Sequence, residues 1–197
     1  MFKFALLFLA MFICTAAAAP AEDLTAPDAA LKGTVGQFLD NIKQHSAEYR
    51  KDKSAYYQMV DQVVAPRLDS SGIAWFALGK FARAATPEQR QQFADRLTRN
   101  LVHSYGDFML GNNGSMDVSW KAVRMEAGAD RAVVHSVLTG EAGGQYDVGF
   151  SMHLVNGDWK IYDLDIDGVS LELNYRTQLN SEIARTSLDT VIARMSQ

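Results

Sequence analysis

Apolar residues along this chain recur first with a helical period, then with the period of a strand, then with a helical one again. From Leu31 they fall at Val35, Phe38, Leu39 and Ile42, which predicts an amphipathic helix. Tyr56, Met59, Val60, Val63 and Val64 predict a second, stopping before Pro66 because the residue ahead of a proline is pushed out of the helical region. A third spans SSGIAWFALGKFARAA, residues 70–85, and is apolar nearly all round, as helices buried on more than one side are. The clearest start follows it. In TPEQRQQF, Thr86 stands at the N-cap, Pro87 at the first helical position and Gln89 three residues after the cap, a capping box with a favourable proline. Phe93, Leu97, Leu101, Tyr105 and Met109 carry that helix to GNNG at 111–114, where it is predicted to end.

Between residues 117 and 166 the period falls to two. DVSWKAVRME, DRAVVHSVLT, QYDVGFSMHLV and DWKIYDLDI predict strands, joined at Gly128, at GEAGG and at the hairpin dipeptide Asn156-Gly157. Tyr146, Val148, Phe150, Met152 and Leu154 alternate with Asp147, Gly149, Ser151 and His153, so one sheet face is apolar. After Gly168, Leu179 and Ile183 fit one helical stripe, while Leu188, Val191, Ile192 and Met195 fit another, out of phase by one residue. A break near Arg185 is therefore predicted, with Thr186 or Ser187 capping a short last helix. Together these elements predict an α+β fold: a four-stranded curved antiparallel sheet with helices packed on its apolar face. No internal repeat and no linker divides it.

One stretch invites a metal. YDLDIDGVSLEL, residues 162–173, places Asp163, Asp165, Asp167 and Gly168 as an EF-hand calcium loop begins. The twelfth position, which needs a bidentate glutamate, is Asn174, and the preceding residues read as a strand rather than a helix. The alternation of Tyr162, Leu164 and Ile166 with the aspartates predicts instead a half-buried strand with its acids toward water.

The N-terminus stands apart from these elements. MFKFALLFLAMFICTAAAA has one lysine, a short apolar run and a string of alanines, the layout of a cleavable secretion signal over residues 1–19, cut after Ala19 or Ala21. Met11, Phe12 and Ile13 before Cys14 do not fit a lipoprotein signal, and Cys14 is the only cysteine, so residues 22–197 can form no disulfide. Those residues are expected to fold as one domain outside the cytoplasm; with 48% hydrophobic residues overall, the chain can build a sizeable core. Removing the signal takes away Lys3 and no acid, making the net charge of −4 one unit more negative. A mildly acidic chain without a basic run argues against nucleic acid and against tight binding to anionic membranes.

Catalytic patterns are missing. His45, His103, His135 and His153 have no metal-ligand spacing, and there is no Walker loop, no GxGxxG and no GxSxG. Asp163, Asp165 and Asp167 along one strand face do not converge as an acid–base pair would.

Three stretches together, VDQVVAPRLD, IAWFALGKFARAATPEQRQQF and GDWKIYDLDIDGVSLELNYRTQL, resemble the toluene-tolerance, or MlaC, family of periplasmic phospholipid-binding proteins in Gram-negative bacteria. The most specific part is W-x-x-Y-D-x-x-x-x-G-V-S, Trp159 through Ser170; one departure is Ser187, where the family often has glycine. The resemblance implies a sheet of the nuclear-transport-factor-2 type with a lipid cavity beneath its helices. It also implies a periplasmic shuttle, monomeric and without stable membrane insertion, that exchanges lipid with an outer-membrane lipoprotein–porin complex and an inner-membrane ABC transporter. Phospholipid is then cargo, with no cofactor, no metal and no catalysis.

Under that reading the expected wall residues are Trp75, Phe76, Leu78 and Phe81 on the third helix and Tyr105 on the fourth. The sheet would add Tyr146, Val148, Phe150, Met152 and Leu154, with Leu164, Ile166, Val169 and Leu171 closing the mouth. Two other readings remain: an extracytoplasmic enzyme on a similar sheet, which requires an acid or base with a shifted pKa in the pocket, and an adaptor that binds protein through an exposed apolar patch.

Overall fold

The computed structural model describes residues 26–111, 116–123, 125–126, 128–140 and 143–195; the stretch expected to be a secretion signal, Cys14 and most of the GNNG stop lie outside them. Helices α1 (Pro27–Tyr49), α2 (Lys53–Val63), α3 (Ser70–Leu78) and α4 (Pro87–Gly111) precede strands β1 (Asp117–Trp120), β2 (Arg131–Thr139), β3 (Gln145–Val155), β4 (Asp158–Ile166) and β5 (Val169–Ser170). Helices α5 (Leu171–Arg185) and α6 (Leu188–Arg194) follow. The strands form one antiparallel sheet in chain order, the α+β arrangement read from the alternation.

The sheet has five strands rather than four. The extra one, β5, exists because Asp167 and Gly168 turn the chain back on β4 with φ of 51° and 83°. Asn156 and Gly157 do the same between β3 and β4, with φ of 52° and 87°. Two-residue hairpin loops of the type I′ kind need positive φ at both positions, which Asn-Gly and Asp-Gly supply at least cost. The Asp-rich stretch is thus the end of a strand running into a hairpin. β1 stops at Trp120, six residues short of the sequence expectation.

Local signals set the helix ends. The Thr86 N–H donates to Gln89 Oε1 at 2.9 Å and the Gln89 N–H to Thr86 Oγ1 at 3.1 Å, completing the capping box at α4. Ser187 caps α6, its Oγ accepting the Thr190 N–H at 3.1 Å. α3 is shorter than the apolar run suggests: Gly79, at φ 53°, ends it, and Lys80 and Phe81 continue only as a 3₁₀ turn.

The core is divided into three clusters. One joins α3, α4, α5 and α6 around Leu78, Phe93 and Val191; a second joins α1, α2 and α4 around Ile42, Tyr56 and Val102. The third lies between the start of α1 and the sheet, around Leu31, Val134, Met152 and Trp159. Leu68, in the connection between α2 and α3, packs against all three. That connection is held to the sheet by a bridge between Leu68 and Ile161, by the Asp69 N–H on the Ile161 carbonyl at 2.9 Å and by Arg67 donating to the Trp159 carbonyl.

Candidate functional site

Where the three clusters meet, they leave a cavity of about 600 Å³ between the sheet and the helices. α1 walls it with Leu31, Val35, Phe38 and Leu39, and α2 with Val60 and its C-cap residue Val64. α4 contributes Leu97, Leu101 and Tyr105 at four-residue steps, so a single face of this helix runs along the cavity. From the sheet come Val118, Leu138, Val148, Phe150, Leu164 and Ile166. Val148 faces Ile166 and Phe150 faces Leu164 across β3 and β4, which makes a smooth apolar floor.

Half of the expected wall residues lie on this surface: Tyr105, Tyr146, Val148, Phe150, Leu164, Ile166 and Leu171. Trp75, Phe76, Leu78 and Phe81 do not, because Ile73 and Ala77 occupy the cavity side of α3 and Phe81 lies beyond its end. Trp75 points outward, 52% exposed, with the Arg90 guanidinium 5.8 Å from its ring centre. Phe76 carries Arg176 at 4.7 Å, while Leu78 and Phe81 pack in the helical cluster. Met152 and Leu154 continue the apolar face of β3 past the cavity, into the cluster under α1. Val169 is exposed beside the opening. The lining from α1 and α2 was visible in the sequence as apolar stripes, but a stripe facing a cavity has the same pattern as one facing a packed core.

Tyr162 departs from the alternation. In the β3–β4 pairing, Ser151 faces Asp163 and Met152 faces Ile161, so Tyr162 is an extra residue in a β-bulge. Its ring stands 5.0 Å from that of His153, with the Arg131 guanidinium 6.0 Å away, beside a shallow groove on the outer sheet face that Arg131 and His135 also line.

Nor are the aspartates simply toward water. Asp163 accepts from Ser170 Oγ at 2.7 Å and from the Glu172 N–H at 2.9 Å, holding the first turn of α5 against β4. Asp165 accepts the Gly168 N–H inside the hairpin, and Asp167 accepts the Asp147 N–H, each at 2.9 Å. Among the described residues no group of three or more His, Cys, Asp or Glu is gathered for a metal ion.

The cavity has few polar side chains, with Thr34, Ser104, Asp163 and Glu172 among them. Burial, reinforced by the Asp163 carboxylate and opposed by Arg176, pushes the Glu172 carboxyl up to about 7. The Tyr105 phenol is raised by burial. Between α2 and α4, Tyr56 donates its hydroxyl to the Gly106 carbonyl, and burial raises its phenol too. A Cβ at Gly106 would stand 2.8 Å from that hydroxyl, so glycine is what lets α2 approach α4 here. Such an enclosure can hold an elongated apolar ligand, with the carboxyl groups of Asp163 and Glu172 on its wall.

The chain matches the sequence model of the MlaC protein family over residues 32–197. It is 27% identical over 164 residues to the toluene tolerance protein ttg2D of Pseudomonas putida, covering 83% of this chain and 75% of that one. A solved structure, the phospholipid-binding protein of Ralstonia solanacearum in complex with a phospholipid, superposes with a TM-score of 0.77 at 28% identity, over 85% of this chain and 93% of that one. By its match over most of its length, this chain belongs to the MlaC protein family.

Proposed function

We propose that the protein is a periplasmic phospholipid carrier that encloses acyl chains in this cavity and passes the lipid between an outer-membrane lipoprotein–porin complex and an inner-membrane ABC transporter. The observation that carries the reading is the cavity itself, about 600 Å³ and walled by apolar side chains from five helices and the sheet. Each buried CH₂ contributes roughly 0.8 kcal/mol, so two acyl chains left in water cost on the order of 20 kcal/mol. A carrier must therefore cover the tails, and a polar clamp on the headgroup alone is not enough. The similar Ralstonia solanacearum protein with its bound phospholipid supports this use of the fold. No helix among the described residues is long and apolar enough to cross a membrane.

Native mass spectrometry of protein purified without detergent, followed by solvent extraction, tests the proposal. Near-stoichiometric phospholipid is the expected result; a folded, lipid-free protein would refute it.

A second reading is favoured by Glu172, a carboxylate with a raised pKa on the cavity wall, which is what an enzyme acting on a hydrophobic substrate requires. Its neighbour Asp163 is already engaged by Ser170 and the α5 backbone, which leaves Glu172 without a poised partner there. Glu172→Gln separates the two readings: a carrier keeps its lipid load, whereas an enzyme loses turnover.

A further inference from the structure

Asp163 and Glu172 both lie on the apolar cavity wall, and the chain engages them differently. Asp163 is held at both oxygens: Oδ2 accepts from Ser170 Oγ and Oδ1 from the Glu172 N–H. The Glu172 carboxyl has Leu171 and Tyr175 beside it on the wall, and among the described residues it accepts no hydrogen bond from the chain. Arg176, one turn further along α5, offsets part of the repulsion from Asp163. Its guanidinium stands 4.7 Å from the centre of the Phe76 ring, outside the lining. Among the described residues no lysine, arginine or histidine lines the cavity; the other titratable groups there are the phenols of Tyr105, Tyr146, Tyr162 and Tyr175.

Glu172 is half-buried, so water still reaches it. An acyl chain laid along this wall takes the place of that water and offers no hydrogen bond in return. Covering an ionised carboxylate in this way costs far more than covering the neutral acid. Burial and Asp163 already hold the carboxyl at about 7, so in neutral medium the proton is readily available.

We propose that Glu172 couples cargo to protons: an acyl chain and a proton on this carboxyl favour each other in the cavity, so the protein holds lipid more tightly in acid than in alkaline medium. The inference rests on the carrier reading and adds a condition for release. The sign follows from linkage. Loading removes water from Glu172 and tightens its hold on the proton, so affinity for lipid must fall as pH rises.

Partition of a pyrene-labelled phosphatidylcholine between the delipidated protein and phosphatidylcholine vesicles tests it, because that headgroup does not titrate near neutrality. From about pH 6 to about pH 8.5 the affinity of the parent protein should fall severalfold, reaching about tenfold where loading tightens proton binding by the same factor. Glu172→Gln, neutral at every pH, should hold the lipid equally well across this range. Calorimetry of the parent in two buffers of different ionisation enthalpy should show net proton uptake on binding near neutral pH. Binding by the parent that is independent of pH, or an equal fall in Glu172→Gln, overturns the inference and leaves the carrier reading standing. Should the variant fail to fold, proton uptake by the parent decides, and its absence overturns the inference. A folded parent that takes up no pyrene lipid at any pH defeats the carrier reading, and the inference with it.

Discussion

The carboxylate of Asp163 accepts the backbone N–H of Glu172 at 2.9 Å, and the Glu172 side chain lies on the cavity wall. One acid thus anchors the helix turn that places another where burial holds its proton. The folded chain keeps that proton up to about pH 7, whereas the unfolded chain releases it near the ordinary 4.5. Over this window the native state binds more protons than the unfolded state, so stability falls as pH rises. The contribution is full below pH 4.5 and lost as pH rises through about 7. Thermal unfolding across the window should show this decline, and Glu172→Gln should flatten it. Parallel curves for the two proteins would remove Glu172 as its source.

Asp163→Ala removes the acceptor for both Ser170 Oγ and the Glu172 N–H. Loss of a capping acceptor of this kind costs about 1–2 kcal/mol, readable by urea denaturation. The substitution also takes away a negative neighbour, so the pH dependence carried by Glu172 should weaken in the same protein. An Asp163→Ala variant as stable as the parent would show that α5 starts without this tie.

Leu101 lines the cavity from α4 and is half-buried. Leu101→Trp should lower the phospholipid that copurifies while leaving the melting temperature equal or higher, because added apolar volume fills space that the fold leaves open. Trp75→Ala is the contrasting variant. Trp75 stands outside the cavity, so lipid content should not change. Loss of lipid in Trp75→Ala would put α3 back in the wall with its other face.

Gly168 has φ of 83°, and a Cβ there disfavours the turn that makes β5. Gly168→Ala should cost about 1–2 kcal/mol. Asp167→Asn should be nearly neutral in both stability and lipid content, since asparagine tolerates positive φ and keeps an oxygen for the Asp147 N–H. Calcium should leave the melting temperature of the parent unchanged, because each carboxylate of the Asp-rich stretch already accepts a hydrogen from the chain. A rise of several degrees would reinstate the loop as a metal site.

Some of this protein could be read directly from the order of its residues. The capping box at Thr86 and Gln89, the Ser187 cap and the Asn156-Gly157 hairpin depend on groups only a few residues apart, so the sequence alone determined them. The apolar alternation of β3 likewise assigned Tyr146, Val148 and Phe150 to one face, and that face is the cavity floor. Asp167-Gly168 was a hairpin signal of the same kind, masked by its likeness to a metal loop.

Tertiary structure decided the rest. α3 is apolar nearly all round, so its pattern carries no phase, and only packing against α4 and α5 turned Ile73 and Ala77 inward and left Trp75 outside. The bulge at Tyr162 arises in the pairing of β3 with β4, and it moves one aromatic ring to the outer face without any change in local sequence character. Whether apolar stripes on α1, α2 and α4 close into solid core or stand apart around a cavity depends on the distances between elements. Those distances are set by contacts far apart in the chain, such as Leu68 against three clusters and Tyr56 against Gly106. Hydrophobic patterning records which side of each element avoids water; it does not record what lies on that side.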